Sequence, residues 1–262
     1  MKSAFAVPIV QRRDPAPGHV EFILANEALS CAAPGQFCHV LTPGMLRRPL
    51  SFSRMDSKTG CVGVLLQVVG PGTEWLYGRQ VGESLDVLGP LGRGFVPPDP
   101  RRPWLLIGGG VGIPPIFAAY GAWRDRMRER VTVVLGARTR DALIMADDFS
   151  ALGLSPVVVT DDGSRGEQGT VMGPAGRWLD QHPDGQVMAC GPTPMLARVH
   201  QEARRVAGPM QLALEQRMGC GIGACLACVI PATPVGPQGP RYRRVCTDGP
   251  VFSHEELVFS WT

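Results

Sequence analysis

No apolar run in this chain approaches the ~20 residues needed to cross a bilayer. The amino-terminal stretch MKSAFAVPIVQRR likewise has neither the long apolar segment nor the cleavage site of a secretory signal. Both absences predict a cytoplasmic protein with no membrane partner. Charge of one sign is also scarce, because the net charge is only +3 and the arginines are scattered (Arg12, Arg13, Arg101, Arg102, Arg204, Arg205) instead of gathered in a tract. Nucleic acid is therefore not an expected partner. The five histidines (His19, His39, His182, His200, His254) show no metal spacing and no Ser or Cys partner, so each is expected on the surface or in the core. There is no G-x-S-x-G elbow, no P-loop and no internal repeat.

What the chain does have is glycine, proline and cysteine. With Gly 33 and Pro 25 among 262 residues, the composition suits a globular protein rich in turns, with room for two domains and an appendage. Residues 1–98 alternate short β-like runs with Gly/Pro turns, at 19–25, 36–41, 61–69 and 83–89, which predicts an antiparallel β-barrel or sandwich. A stiff connector, VPPDPRRP, follows. Residues 99–210 change to continuous apolar runs at 104–108, 131–136, 155–160 and 186–191. Between or after them come helical segments at 113–128, 170–182 and 193–206. Strands buried on both faces look like this, so a doubly wound parallel-sheet α/β domain is predicted. Residues 211–262 form a third region, with a cysteine loop, a Pro/Gly-rich stretch at 231–240 and a short apolar end.

Eight cysteines in an intracellular chain are not expected to form a disulfide framework. Cys31, Cys38, Cys61 and Cys190 are isolated, whereas Cys220, Cys225, Cys228 and Cys246 crowd one glycine-rich segment. The spacing C-x4-C-x2-C with a distant fourth cysteine is that of plant-type [2Fe–2S] sites. Gly219, Gly221 and Gly223 would let the loop wrap a cluster closely. The alternative is a structural zinc site, which more often uses paired C-x2-C knuckles.

Three weaker signals accompany the cysteines. Arg48-Pro49-Leu50-Ser51, expected directly before a strand, offers an Arg for a pyrophosphate and a Ser for a flavin ring, although alone it reads as a loop Arg and a strand start. Gly70-Pro71-Gly72-Thr73 offers amides and a hydroxyl for phosphate. Gly108, Gly109, Gly110 and Gly112 run from a strand into a helix; they could receive a dinucleotide phosphate or simply allow tight packing, and they depart from the G-x-G-x-x-G fingerprint. A second such turn, Cys190-Gly191-Pro192, would face the same crevice. Asp161 and Asp162 could bond a ribose hydroxyl or cap a turn, with capping favoured; their charge would repel a 2′-phosphate, which tilts the expectation to NAD over NADP.

Taken in order, RPLS, GPGT, GGGVGIPP, ACGPTPM and the cysteine loop resemble the ferredoxin-reductase superfamily over nearly the whole chain. Within it, LEQRMGCGIGACLACV and RRVCTDGPVF are similar to the iron–sulfur electron-transfer subunit of NAD-linked dihydroorotate dehydrogenase. The resemblance implies that Arg48, Pro49, Leu50 and Ser51 hold FAD, with Leu65, Leu66 and Gln67 along the flavin and Gly72 and Thr73 at its phosphates. It makes Cys220, Cys225, Cys228 and Cys246 the cluster ligands and brings Cys190 near the nicotinamide. It further implies that electrons pass from NADH through FAD and the cluster to an FMN-containing catalytic subunit, in a heterotetramer with two of each chain, during pyrimidine biosynthesis. The unusual linker between Cys228 and Cys246, with Arg241, Arg243 and Arg244 at its basic end, bears on the partner surface. Rival readings are a reductase subunit serving another acceptor, such as a ferredoxin-linked transhydrogenase or a hydrogenase, and a redox-sensing scaffold.

Overall fold

Side chains alternate along the first strand, β1 (Ser3–Arg13): Val7 and Ile9 turn inward while Ala6, Pro8 and Val10 face out. This is the period of a half-buried strand. With β2 (His19–Ala25), β3 (Phe37–Val40), β4 (Arg48–Asp56), β5 (Cys61–Gln67) and β6 (Ser84–Leu91), it closes a six-stranded barrel in the order β1-β2-β5-β4-β3-β6. Phe22, Phe52, Leu24 and Val64 fill its centre. Two short helices, α1 (Glu27–Ser30) and α2 (Pro71–Tyr77), interrupt it. These coordinates are a computed structural model that describes residues 3–44, 46–127, 130–234 and 241–259; part of the Pro/Gly-rich stretch at 231–240 and of the apolar end therefore lies outside the described residues.

One expectation is corrected here. Arg48–Ser51 does not precede a strand but forms the first four residues of β4, paired with β3 from Val40↔Arg48 to Phe37↔Ser51.

The second sheet runs β10 (Glu167–Gln168), β9 (Val157–Thr160), β8 (Val131–Ala137), β7 (Trp104–Gly109), β11 (Gln186–Cys190), β12 (Met210–Ala213) and β15 (Val251–Ser253). All its pairings are parallel except β12 with β15. Helices α3 (Ile113–Met127), α4 (Ala146–Ala151), α5 (Met172–Gln181) and α6 (Thr193–Ala203) cover its two faces, over two separate cores. Pro114 and Pro115 sit in the first turn of α3, where their missing amides have no helical partner to lose. A small ribbon of β13 (Val229–Pro231) and β14 (Tyr242–Arg244) carries the end of the cysteine loop. Because β15 returns to the sheet edge, Cys228, Val245, Cys246 and Phe252 are packed into the same core as α5 and α6.

A charged latch joins the barrel to the parallel-sheet domain. Arg13 donates two hydrogen bonds to the Asp148 carboxylate, at 2.8 and 2.9 Å, and Arg54 donates a third at 2.6 Å. Behind them Glu21, with its side chain wholly buried, accepts from Ser53 Oγ at 2.6 Å, from Arg54 Nε at 3.0 Å and from Arg13. The Arg54 guanidinium also stacks 4.7 Å above the Phe117 ring of α3. A buried charge is tolerated only when its partners are complete, and each carboxylate here has at least three donors.

Candidate functional site

The start of β4, the end of β5 and the two glycine-rich turns of the parallel sheet border one cleft of ≈ 280 Å³. Pro49, Leu50 and Ser51 line it from β4, and Leu65, Leu66 and Gln67 from β5. Across from them stand Gly112, Cys190, Gly191 and Pro192 at the carboxyl ends of the parallel strands, where open α/β sheets bind their ligands. The barrel residues and the Cys190–Pro192 turn, more than a hundred residues apart, thus share one space.

The glycines divide by use. A Cβ on Gly112 would run into the backbone of Cys190, so the two turns touch main chain to main chain. Gly108 and Gly109 are packing glycines: a Cβ would meet Ile113 at 3.0 Å in the first case and Met195 Sδ at 2.6 Å in the second. Gly110 takes φ 53° and opens the turn into α3. These three do not border the cleft. A Cβ on Gly72 would collide with the Arg48 guanidinium, so that glycine is what lets Arg48 lie along the start of α2. Thr73 lines the cleft, yet its hydroxyl accepts from the amides of Val69 and Gly70, at 2.9 and 3.1 Å, and donates to the Gly70 carbonyl; it caps the turn into α2.

Burial, then the charge of Glu215, pushes the Cys190 thiol up to about 12, so it meets the cleft as a neutral group. Glu215, Gln216 and Met218 line the same cleft just ahead of the cysteine loop. The sequence assigns them no role, and its one available signal is an acidic residue directly after the apolar run Leu212–Leu214. Asp162 accepts from the Ser164 amide and hydroxyl, at 3.0 and 2.6 Å, which holds its carboxyl below the ordinary range. It caps a turn, as the favoured reading had it.

In the cysteine loop the sulfurs pair two and two. Cys220 Sγ accepts from the amides of Ala224 and Cys225, at 3.2 and 3.3 Å, and Cys225 Sγ accepts from the Cys220 amide at 3.4 Å. Separately, Cys228 Sγ accepts from the Cys246 amide at 3.5 Å. Burial raises the Cys220 thiol, but the amides of Cys225, Ile222 and Ala224 outweigh it and bring the group down to about 6. Cys246, deeper, is pushed up to about 12, first by burial and then by Cys228. Among the described residues no set of three or more His, Cys, Asp or Glu side chains converges to hold a single ion. A two-iron cluster asks for a different arrangement, two thiolates on each iron, and two pairs of cysteines linked by amide-to-sulfur hydrogen bonds fit that demand.

Of the five histidines, His19 bonds the Pro17 carbonyl, His182 stacks on Trp178, and His200 bonds the His254 carbonyl. His39 differs. It is wholly buried, both ring nitrogens lack partners, and burial followed by the charge of Arg47 pulls it down to about 4.

Comparison with known proteins adds to this geometry. The family model described as the iron–sulfur cluster binding domain of dihydroorotate dehydrogenase B matches residues 215–258, and that of the oxidoreductase NAD-binding domain matches residues 106–201. The chain is similar to the dihydroorotate dehydrogenase B (NAD(+)) electron transfer subunit of Geobacillus kaustophilus (strain HTA426), at 41% identity over 234 residues and 86% of each chain. The subunit of that name from Desulforamulus reducens is 34% identical over 239 residues, 90% of each chain. Among solved structures, an NADH-dependent reduced ferredoxin-NADP oxidoreductase studied for flavin-based electron bifurcation superposes with a TM-score of 0.79. It is 31% identical, and the match covers 99% of this chain and 92% of that one. A ferredoxin reductase of carbazole 1,9a-dioxygenase shares the fold at a TM-score of 0.68 and 23% identity, over 80% of this chain and 69% of its own.

Proposed function

The chain belongs to the family of dihydroorotate dehydrogenase B electron-transfer subunits, and from that premise we propose how its own residues carry electrons. It is an NAD-dependent flavoprotein oxidoreductase component, with FAD, NAD and an iron–sulfur cluster as its working groups. When bound, FAD supplies the exchange between a hydride pair and single electrons, and the cluster supplies one-electron carriage.

The observation that carries the reading is the meeting of three motifs in one cleft, from which the segment Glu215–Met218 leads straight into the cysteine loop. Pro49, Leu50 and Ser51 form one wall for the flavin ring, Leu65, Leu66 and Gln67 another, and Arg48 reaches its pyrophosphate beside Gly72 and Thr73. Gly112, Cys190, Gly191 and Pro192 would hold the nicotinamide end of NAD, and Gly108, Gly109 and Gly110 would shape the turn that receives the dinucleotide. Orientation is the protein's contribution, because hydride transfer depends on the reacting atoms being held close and aligned. Cys220, Cys225, Cys228 and Cys246 ligate the cluster. The division of labour is residues 1–98 for FAD, 99–210 for NAD and 211–262 for iron and sulfur.

The partner is the FMN-containing catalytic subunit of the dehydrogenase, in a cytoplasmic heterotetramer with two copies of each chain. In support, Ile222 and Leu226, inside the cysteine loop, are 47% and 59% exposed, and Tyr242, in the β13–β14 ribbon, is 63% exposed. Oxidation of dihydroorotate to orotate releases two electrons, and the relatives' name sets NAD(+) as the nucleotide. With that substrate electrons would enter at the cysteine-loop end of this chain and leave at its nucleotide end. The NADH-to-cluster direction read from the sequence is the same path in reverse, and it is the one an NADH assay measures.

In the test, Cys225→Ser should remove the cluster and partner-linked transfer while flavin reduction by NADH continues at the wild-type rate. Equal loss of both would contradict the order of carriers. The bifurcating reductase structure supports a second reading, in which the acceptor is another redox subunit. Affinity isolation of the native complex separates the two by the identity of the bound subunit.

A further inference from the structure

His39 stands in the wall between the cleft and the cysteine loop. Its β3 register places it opposite Pro49, and it lies edge-on to Phe37, with ring centroids 5.7 Å apart. Both of those neighbours line the cleft. On its other side the imidazole presses against Gly221, the residue after Cys220, where a Cβ would stand 2.7 Å from both Cε1 and Nδ1. Gly221 is held at φ 69°, so the ring occupies the space that a side chain there would need. The loop's next positive-φ glycine, Gly223, is abutted by Thr247, with a Cβ 2.9 Å from Cγ2 and 3.2 Å from Oγ1. Thr247 Oγ1 is likewise buried without a partner. A buried donor left unpaired costs about 1–3 kcal/mol. Here two of them flank the stretch between Cys220 and Cys225, where none of the described residues accepts their protons.

We propose that the His39 imidazole is a positioning residue for the iron–sulfur cluster: its ring N–H donates a hydrogen bond to the sulfur-rich group enclosed by the cysteine loop, and Thr247 Oγ1 supports it from the Gly223 side. Hydrogen bonds to cluster sulfurs draw off electron density and favour the reduced form, so this contact raises the cluster's reduction potential. The inference rests on the two-iron reading of the cysteine quartet.

The test is a redox titration of the holo chain, following the cluster by electron paramagnetic resonance and the flavin by visible absorption in the same samples. Wild type, His39→Leu and His39→Gln are compared at matched iron content. Replacing an unpaired buried ring by an apolar side chain is close to neutral for folding, so the leucine variant should load iron. It should lower the cluster potential by about tenfold in the reduced-to-oxidised ratio, ~59 mV for one electron, and leave the flavin where it was. Glutamine, which keeps an N–H, should restore most of that loss. Iron lost from the leucine variant and retained by the glutamine variant would also support positioning by the donor. Equal shifts in both variants, no shift in either, or a shift confined to the flavin would overturn the proposal. A wild-type chain that binds no iron–sulfur cluster would overturn the two-iron reading and this inference with it.

Discussion

The barrel meets the rest of the chain along two seams, and they satisfy their polar groups in opposite ways. Toward the parallel sheet, Arg13 and Arg54 engage Asp148 and Glu21, and each carboxylate is fully partnered within the protein. Toward the cysteine loop, contact is made through Gly221 and the imidazole of His39, whose nitrogens have no partner among the described residues. A complete polar network accounts for itself as structure. An incomplete one in a buried place needs something else to complete it, and that difference separates the seam that holds the domains together from the seam that serves the chemistry.

The comparison breaks most visibly at the latch. Glu21→Ala should cost about 3 kcal/mol, because it strips the two guanidinium groups and Ser53 of a buried partner. Denaturant unfolding reads the loss, while iron and flavin per folded chain stay constant. A cost below ~1 kcal/mol would mean the latch is not a buried network. A smaller effect is expected on the other seam. Gly221→Ala meets both the left-handed φ of 69° and the His39 ring, with the backbone part alone worth about 1–2 kcal/mol. Iron content should fall with it, and the double variant Gly221→Ala/His39→Ala should regain the steric part; an unaffected single variant would contradict the packing. The smallest effect is in pH. Burial raises the Asp148 carboxyl, but hydrogen bonds from Arg13 and Arg54 outweigh it and set it below its ordinary 3.8. A depressed carboxylate contributes stability that is complete above its unfolded value and is lost as pH falls through the folded one. Unfolding free energy should therefore drop on acidification below 3.8, and Asp148→Asn should flatten that limb.

Legibility in the sequence followed the range of the interaction. The cysteine spacing is local and could be read directly. The same holds for the continuous apolar runs of β7, β8, β9 and β11, because central parallel strands are apolar on both faces. β1 and the first four residues of β4 escaped because Pro8, Arg12, Arg13, Arg48 and Pro49 break their apolar pattern; barrel closure, a long-range condition, makes them strands. The edge strand β15 was hidden for a similar reason, since its three residues become a strand only against β12. Of the candidate site, Pro49, Leu50 and Ser51, Leu65, Leu66 and Gln67, Thr73, Gly112 and the Cys190–Pro192 turn border one cleft, whereas Arg48, Gly72, Gly108, Gly109 and Gly110 stand outside its lining. Glu215 and His39 did not show themselves, since one needs the tail to fold back over the cleft and the other needs β3 to be placed beside a loop some 180 residues later. The latch spans 135 positions from Arg13 to Asp148, and no window of sequence contains both.

The central claim is that the four cysteines hold iron and inorganic sulfide within one chain that also holds flavin. Its most direct test is metal, sulfide and flavin analysis of the anaerobically purified native protein. The account predicts two irons and two sulfides for each FAD. One zinc per chain with no sulfide would contradict it.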